Sequence, residues 1–574
     1  MKNTILSALL FILSLGCFAQ SGMNKKEIEN IATFTKVWGF LKYYHPEVAK
    51  GKLDWDKEFT SKINEAAKLN SKEDISTFYI SWIDGLGKVK ECKKCSDDFT
   101  GKLTKNVDYA FLYDSAYFSK ELILKLEYIR KNRYQAFPYY ANPKYAKGKF
   151  SKEKKYPNLE ALSKEEKTLA LARYWNIVNY YFPYKYLTDK DWNDVLIEMV
   201  PKFEEANEVS TYQIAIAELV SKINDSHAND GNIIFSESFS RFPAFKLMMI
   251  QEKLIVSGFY KDSLCKVEDI QLGDEIIKIN GEDVSNVVAE KFKFLPASNN
   301  STRNRDIGMF IMAGSSESLN ITIKRNETIE EKTIKRYHPH KTLGFMTPLD
   351  KAEYQIFENG VGYLNLDAFK PSTSYENIRE VSVNTHTLIV DLRNYPVGLS
   401  AKKLTEILLD ENRPYYSYSD IDRGNPSVYK NIFKQKLNIF QFKKEAGSFL
   451  LYFFYKKQFN SYGKKNENAY KGKIILLVNE ETQSASETLA MEIQSRPNTI
   501  TVGSQTAGAN GVVQDIYLPG NFIAVISGAH VCYPDGTETQ RVGVKIDIEV
   551  KPTIEGIRQG RDEVLEKAIE VVKK

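Results

Sequence analysis

The sequence predicts a multidomain α+β protein in which two helical units precede a small β module and an α/β layered domain. Three observations lead there. The stretch from Trp38 to Asp56 returns from Trp175 to Asn193, with Trp, Tyr-Tyr-x-Pro and Asp-Trp in one constant register. From about Phe242 to Arg336 the pattern changes to short strands separated by turns. The last third alternates apolar strand runs with amphipathic helices, the pattern of helices crossing between buried strands.

The chain of 574 residues opens with MKNTILSALLFILSLGCFAQ: a lysine, an apolar stretch from Ile5 to Leu15, then small residues. This reads as a secretory leader cleaved after Ala19. The stretch is shorter than the roughly 20 residues of a spanning helix, so a permanent anchor is not expected. Cys17 after Gly16 hints at a lipoprotein site, but Ser14 stands where that signal usually has leucine. The expected organisation is a leader over 1–19, a first helical unit with connector over 20–160 and a second over 161–240. A β module over 241–337 and an α/β domain over 338–574 complete it.

The formal charge of +5 comes from 79 basic against 74 acidic residues. No long basic run or base-stacking motif accompanies it, so nucleic acid is excluded as a partner. Cys92-Lys-Lys-Cys95 can be a small-loop disulfide of an oxidising compartment or half of a zinc site; without a second such pair the disulfide is expected. No cluster of residues calls for a catalytic metal or a cofactor, and nothing sets an oligomeric state.

In each helical unit Tyr-Tyr-x-Pro stops a helix, because the proline lacks a backbone donor and restricts the residue before it. Further amphipathic helices follow, those of the second unit running from about Asp191 to Ile223. Aromatic residues at this spacing read as core. The copies differ at their ends. The second closes in KINDSHANDGN, carrying Ser226 and His227, where the register of the first places Val89 and Lys90. A chemical role confined to the second unit fits this difference.

In the last third, KIILLVN reads as a buried strand and Ser484 opens the helix SASETLAMEIQ, with Glu487 three residues on. Two readings stand side by side. Ser-x-x-Glu before a helix is an ordinary capping box; a hydroxyl at a helix N-terminus also has free N–H groups and the positive dipole end beside it, which suits an oxyanion. The section from Arg413 to Lys471, rich in Tyr, Lys and Asn, reads as an insertion.

Together these motifs resemble the C-terminal processing (tail-specific) serine peptidases, in the branch that includes the tricorn core. The resemblance covers nearly everything from Trp175 onward. It rests on DSHAND at Asp225 to Asp230, the hairpin Leu272-Gly273-Asp274 to Asn280-Gly281, DLRNYPVG at Asp391 to Gly398, and SASE at Ser484 to Glu487. A fifth segment, YPDGTETQRVGVKIDIEVKPT, resembles the closing strand segment. The resemblance implies a PDZ-like β module, although FPAFKLMM stands where its carboxylate-binding loop would be, and a catalytic domain with ClpP/crotonase-like layering.

It also implies site residues. Ser484 would be the nucleophile. The lysine base of the processing branch falls at Ala509, which excludes a Ser-Lys dyad. The histidine base of the tricorn-like branch falls at His227, preceded by Ser226. Imidazole near its ordinary pKa of about 6.5 can take a serine proton at neutral pH. The glutamate of that branch falls at Gln540, which brings no charge; Glu538, on the same face if the segment is a strand, is the candidate substitute. Backbone N–H groups of Ala485 and of the Val397-Gly398 turn would form the oxyanion hole. His530, in an apolar strand, is the rival base. The expected function is an exported serine endopeptidase, periplasmic or extracellular, acting on peptides or proteins, with their C-terminal ends as one candidate target. A non-catalytic peptide-binding protein on the same fold, and an esterase or amidase, are the alternatives.

Overall fold

The computed structural model describes residues 22–573 apart from 143–148, 230–239, 340–341, 344–351, 358, 371, 397 and 433–461. The leader, Asp230 of DSHAND and Val397 therefore lie outside the described residues. No helix among the described residues is long and apolar enough to cross a membrane.

The first helical unit consists of α1 (Lys25–Tyr44), α2 (Trp55–Ala67) and α3 (Lys72–Gly85); the second repeats it as α4 (Lys164–Tyr181), α5 (Trp192–Glu204) and α6 (Val209–Ser221). Asn24, Asp54, Ser71, Ser163 and Asp191 each accept a backbone N–H in the first turn that follows, and α1 and α4 end at the Tyr-Tyr pair before proline. The repeated tryptophans explain the repeated register. The Trp38 indole donates to the Trp55 carbonyl at 2.9 Å and Trp55 to Trp38 at 3.1 Å. Trp175 and Trp192 exchange the same two bonds at 2.6 and 3.0 Å. Each pair pins the first helix of its unit to the second. Cys92 and Cys95, beyond α3, are joined by a disulfide with a Cα–Cα separation of 5.5 Å.

The β module holds β1 (Phe245–Ile250), β2 (Lys253–Phe259), β3 (Glu275–Ile279), β4 (Glu282–Asp283), β5 (Ser318–Arg325) and β6 (Thr328–Lys335) in antiparallel order β1-β2-β3-β5-β6, with β4 against β3. Helix α7 (Asn300–Phe310) lies along the edge strand β1. A Cβ on Gly308 would come within 2.3 Å of the Leu247 carbonyl oxygen, so glycine permits this approach.

In the last third, β7 (Tyr354–Ile356), β8 (Val361–Asn365), β9 (Thr387–Asp391), β12 (Lys473–Val478), β13 (Thr499–Gly503) and β17 (Ile548–Glu549) form one sheet in the order β17-β13-β12-β9-β8-β7, parallel except for β7. Alternate residues of its buried strands face opposite layers. Leu388, Val390, Ile474 and Leu476 pack with α8 (Tyr375–Val383), α9 (Ala401–Leu408) and α10 (Ala485–Gln494). Ile389, Ile475 and Leu477 pack with α11 (Glu563–Val572). The Tyr-rich insertion contributes β10 (Ser417–Asp422) and β11 (Asn425–Asn431), which join β16 (His530–Cys532) in a second sheet.

The hairpin of β14 (Val513–Leu518) and β15 (Phe522–Ser527) leaves the sheet and enters the helical core. Ile516, Leu518, Phe522, Ala524 and Ile526 are buried among the helices of both units. Arg173 of α4, fully buried, fastens it. Its guanidinium donates to the Tyr517 carbonyl, pairs with Asp56 at 2.8 Å and meets Glu153 at 3.2 Å, while Lys42 meets Glu153 at 2.7 Å. Arg173→Met removes one cation from two buried carboxylates and should lower unfolding free energy by about 3–5 kcal/mol, read from the urea transition of the helical signal.

Candidate active site

Ser484 sits where β12 hands over to α10, as the N-cap residue at φ 57° and ψ −117°. A non-glycine residue at positive φ is strained, and such strain persists only where surrounding bonds hold it. Three do so here. The Ser484 N–H donates to the Ala509 carbonyl at 3.0 Å, its carbonyl receives the Thr488 N–H at 3.0 Å, and the Thr482 hydroxyl donates to the Leu392 carbonyl at 2.7 Å. The Ser484 side chain makes no capping bond. The capping-box alternative is thus not what forms.

Glu487 holds the 506–509 turn. Its fully buried carboxyl accepts from the Thr506 hydroxyl at 2.6 Å, the Gly508 N–H at 2.8 Å and the Ala509 N–H at 3.0 Å. Burial pushes this carboxyl up to about 7 while the donors pull it down. Ala509 is buried and supplies no base. Ala485 is exposed at the first helical position, where backbone N–H groups lack intrahelical acceptors. Gly398 packs so closely on the Phe369 carbonyl that a Cβ would approach it to 2.2 Å.

The Ser226-His227 loop follows α6 and reaches the same place from the helical side. Gln483, beside Ser484, donates through its side chain to the Ser226 carbonyl at 3.1 Å, and Asn229 bridges to Val525 of β15. The Ser226 hydroxyl accepts the Ser298 N–H at 2.8 Å and donates to Thr302 at 3.0 Å, so it is spent on the β module. Asn299 of the same segment donates to the carbonyls of Thr506, Ala507 and Arg541, and Arg305 donates to the Glu480 carbonyl and Gln483. The β module therefore braces both halves of the site.

His227 is buried. Its Nδ1 lies 2.9 Å from the Ser527 hydroxyl, and its Nε2 has no hydrogen-bond partner among the described residues. Burial lowers the pKa of its imidazole below the ordinary value, against the pull of Asp225. Asp225 and Ser527, which the sequence reading did not single out, complete its surroundings. The Asp225 carboxylate, with no exposed surface, accepts the Ser527 N–H at 2.8 Å, the Ser527 hydroxyl at 3.1 Å and the His227 N–H at 3.1 Å. Asp225 stood within DSHAND, two residues before the histidine. Ser527 closes an apolar strand and carried no signal.

Gln540 bonds neither Ser226 nor the imidazole; it donates to Asp225 at 3.3 Å. The expected strand around it is absent. Glu538 makes a single bridge with Cys532, and a turn closes from Gly543 N–H to the Thr539 carbonyl at 2.8 Å. Glu538 and Gln540 consequently share no face. Glu538 accepts from Tyr186 at 2.7 Å and Lys105 at 3.2 Å and meets His530 Nε2 at 3.0 Å; these partners hold its carboxyl down at about 2. His530 and Glu538 thus form a pair of their own, with Tyr184 packed against the His530 ring at 5.3 Å. No group of His, Cys, Asp and Glu among the described residues could hold a metal ion.

The model of the family described as Peptidase family S41 matches residues 360–550, so the chain carries a domain of that family. The carboxyl-terminal-processing protease of Picosynechococcus sp. (strain ATCC 27264 / PCC 7002 / PR-6) is 23% identical over 290 residues, 49% of this chain and 57% of that protein. The chain thus matches little more than half the length of this curated relative. Mature CPAF complexed with lactacystin shares the fold with a TM-score of 0.53 at 15% identity, over 71% of this chain and 98% of that one. A second structure of mature CPAF agrees, with a TM-score of 0.53 at 16% identity over 71% and 97%.

The amide at 540 matters because its neighbour is a buried anion. Gln540→Glu would replace a donor with a second carboxylate and should lower stability by about 1–3 kcal/mol at neutral pH. The like-charge pair raises one carboxyl pKa, so the loss should shrink as pH falls toward 5. Urea denaturation at both pH values checks the magnitude and the sign.

Proposed function

We propose that the protein is an exported serine endopeptidase that cleaves peptide bonds through an acyl-enzyme on Ser484, with His227 as general base. The observation that carries this reading is the strained Ser484 at a helix N-terminus, whose neighbour Gln483 bonds to the loop in which His227 Nε2 is buried and unpartnered among the described residues. The Peptidase family S41 domain supports it. Nε2 takes the hydroxyl proton as Ser484 Oγ attacks the scissile carbonyl, and returns it to the leaving amine. N–H groups at the start of α10, with Ala485 foremost, and at Gly398 would face the oxyanion. Peptides or proteins are the substrates this chemistry serves.

Export rests on the leader at 1–19, and the Cys92–Cys95 disulfide suits an oxidising periplasmic or extracellular space. We read the β module as PDZ-like. Its edge strand β1 would take a C-terminal end by strand addition, but α7 lies against that edge at Gly308. Loading a peptide there requires α7 to withdraw, so in the present arrangement the module braces the site.

Ser484→Ala should abolish both fluorophosphonate labelling and peptide cleavage while leaving the fold intact; labelling equal to wild type would remove Ser484 from the mechanism. His227→Ala should lower kcat by roughly 10⁴. Loss of activity in His530→Ala with a normal His227→Ala would move the base instead. Because burial lowers the His227 pKa, its neutral, active form persists below the ordinary pKa of about 6.5. The acid limb of kcat/KM for wild type should therefore lie below pH 6.5.

A further inference from the structure

His227, once it has taken the Ser484 proton, is a buried cation, and Gln540 brings no charge to stabilise it. We propose that Asp225 is the positioning carboxylate of this site and that Ser527 relays it to the imidazole, in the order Ser484, His227, Ser527, Asp225. The inference rests on Ser484 and His227 acting as nucleophile and base.

The distances require the intermediary. Asp225 Oδ1 is 3.9 Å from His227 Nδ1, too far for a hydrogen bond, whereas Ser527 Oγ is 2.9 Å from Nδ1 and 3.1 Å from Oδ1. An ionised carboxylate only accepts, and a hydroxyl has one proton to give. If that proton pointed to Nδ1, two oxygens would face each other across 3.1 Å with nothing between them. The Ser527 proton therefore goes to Asp225, and the Ser527 oxygen accepts Nδ1–H. This sets the tautomer: Nδ1 carries the proton, and Nε2 keeps its lone pair for Ser484. Ser527 N–H, His227 N–H and Gln540 Nε2 also donate to the fully buried Asp225, replacing the hydration its carboxylate has lost. Gln540 is thus a donor to the carboxylate.

In the reaction the Ser484 O–H bond breaks and an N–H bond forms at Nε2. The imidazolium keeps Nδ1–H on Ser527, and neither Ser527 nor Asp225 gives up or gains a proton. Asp225 is the ionised group that bears on His227. The Tyr174 and Tyr184 phenols near Asp225 are held neutral by burial, and Ser527 and Gln540 are uncharged.

The test compares Asp225→Asn, Ser527→Ala and the double variant with wild type and Ser484→Ala, after denaturation confirms folding. Each single variant should lose about 10²–10³ in kcat, less than the roughly 10⁴ that follows amidation of a directly bonded triad aspartate. The double variant should be no worse than the weaker single, because a relay fails as one unit. The acid limb of kcat/KM should move down in both singles, by about one pH unit in Asp225→Asn, where the imidazolium loses its anion, and by less in Ser527→Ala, where Nδ1–H loses its acceptor. A defect that is only structural lowers the rate without moving that limb. Should Asp225→Asn fail to fold, Ser527→Ala, which removes one hydroxyl, carries the test with its pH profile. Active wild type with both singles within about threefold and an unmoved limb would overturn the relay, as would losses that multiply in the double variant. Wild type that neither labels at Ser484 nor cleaves would instead sink the nucleophile assignment, and the relay with it.

Discussion

The site depends on one buried carboxylate. Asp225 draws its donors from three stretches of chain: His227 in its own loop, Ser527 at the end of β15, and Gln540 in the turn before Gly543. Taking a carboxylate out of water costs several kcal/mol unless donors replace the lost hydration. No one stretch supplies them all, so the helical units, the hairpin and the final turn must dock together. Docking places the imidazole against Ser527, in a loop that Gln483 ties to the Ser484 turn.

A second buried carboxyl does the same work on the other half. Glu487 gathers the Thr506, Gly508 and Ala509 donors, and Ala509 in turn accepts the Ser484 N–H. The left-handed backbone at Ser484, unfavourable for any residue with a Cβ, is held by this frame. Asn299 and Arg305 of the β module reach the backs of both turns. Two buried carboxyls thus organise the site, Glu487 behind the Ser484 turn and Asp225 behind the His227 loop, and the β module braces both from outside.

The duplicated helices explain how a loop so far from Ser484 in the chain reaches it. Both units use the same exchange of indole and carbonyl to set their first two helices. The hairpin of β14 and β15 buries its apolar face among both units, with Arg173 joining Asp56 of the first unit to Tyr517 of the hairpin. The first unit carries no histidine at the matching place; its part is to complete the core on which the hairpin rests.

Local patterns settled much of this. Proline after the paired tyrosines ends α1 and α4, alternation and apolar runs mark the strands, and a serine between a buried strand and a helix marks Ser484. These are properties of neighbours in sequence, which backbone sterics and periodicity make legible. The setting of His227 was not legible. Its partner Ser527 ends a strand like any other, and Glu538, which looked like the missing carboxylate, is drawn to His530, Tyr186 and Lys105 because the segment turns instead of extending. Sequence determined which residues could do the chemistry. Which carboxylate stands behind the imidazole was decided by tertiary structure, because burial and hydrogen-bond donors from distant segments set where a charge can lie.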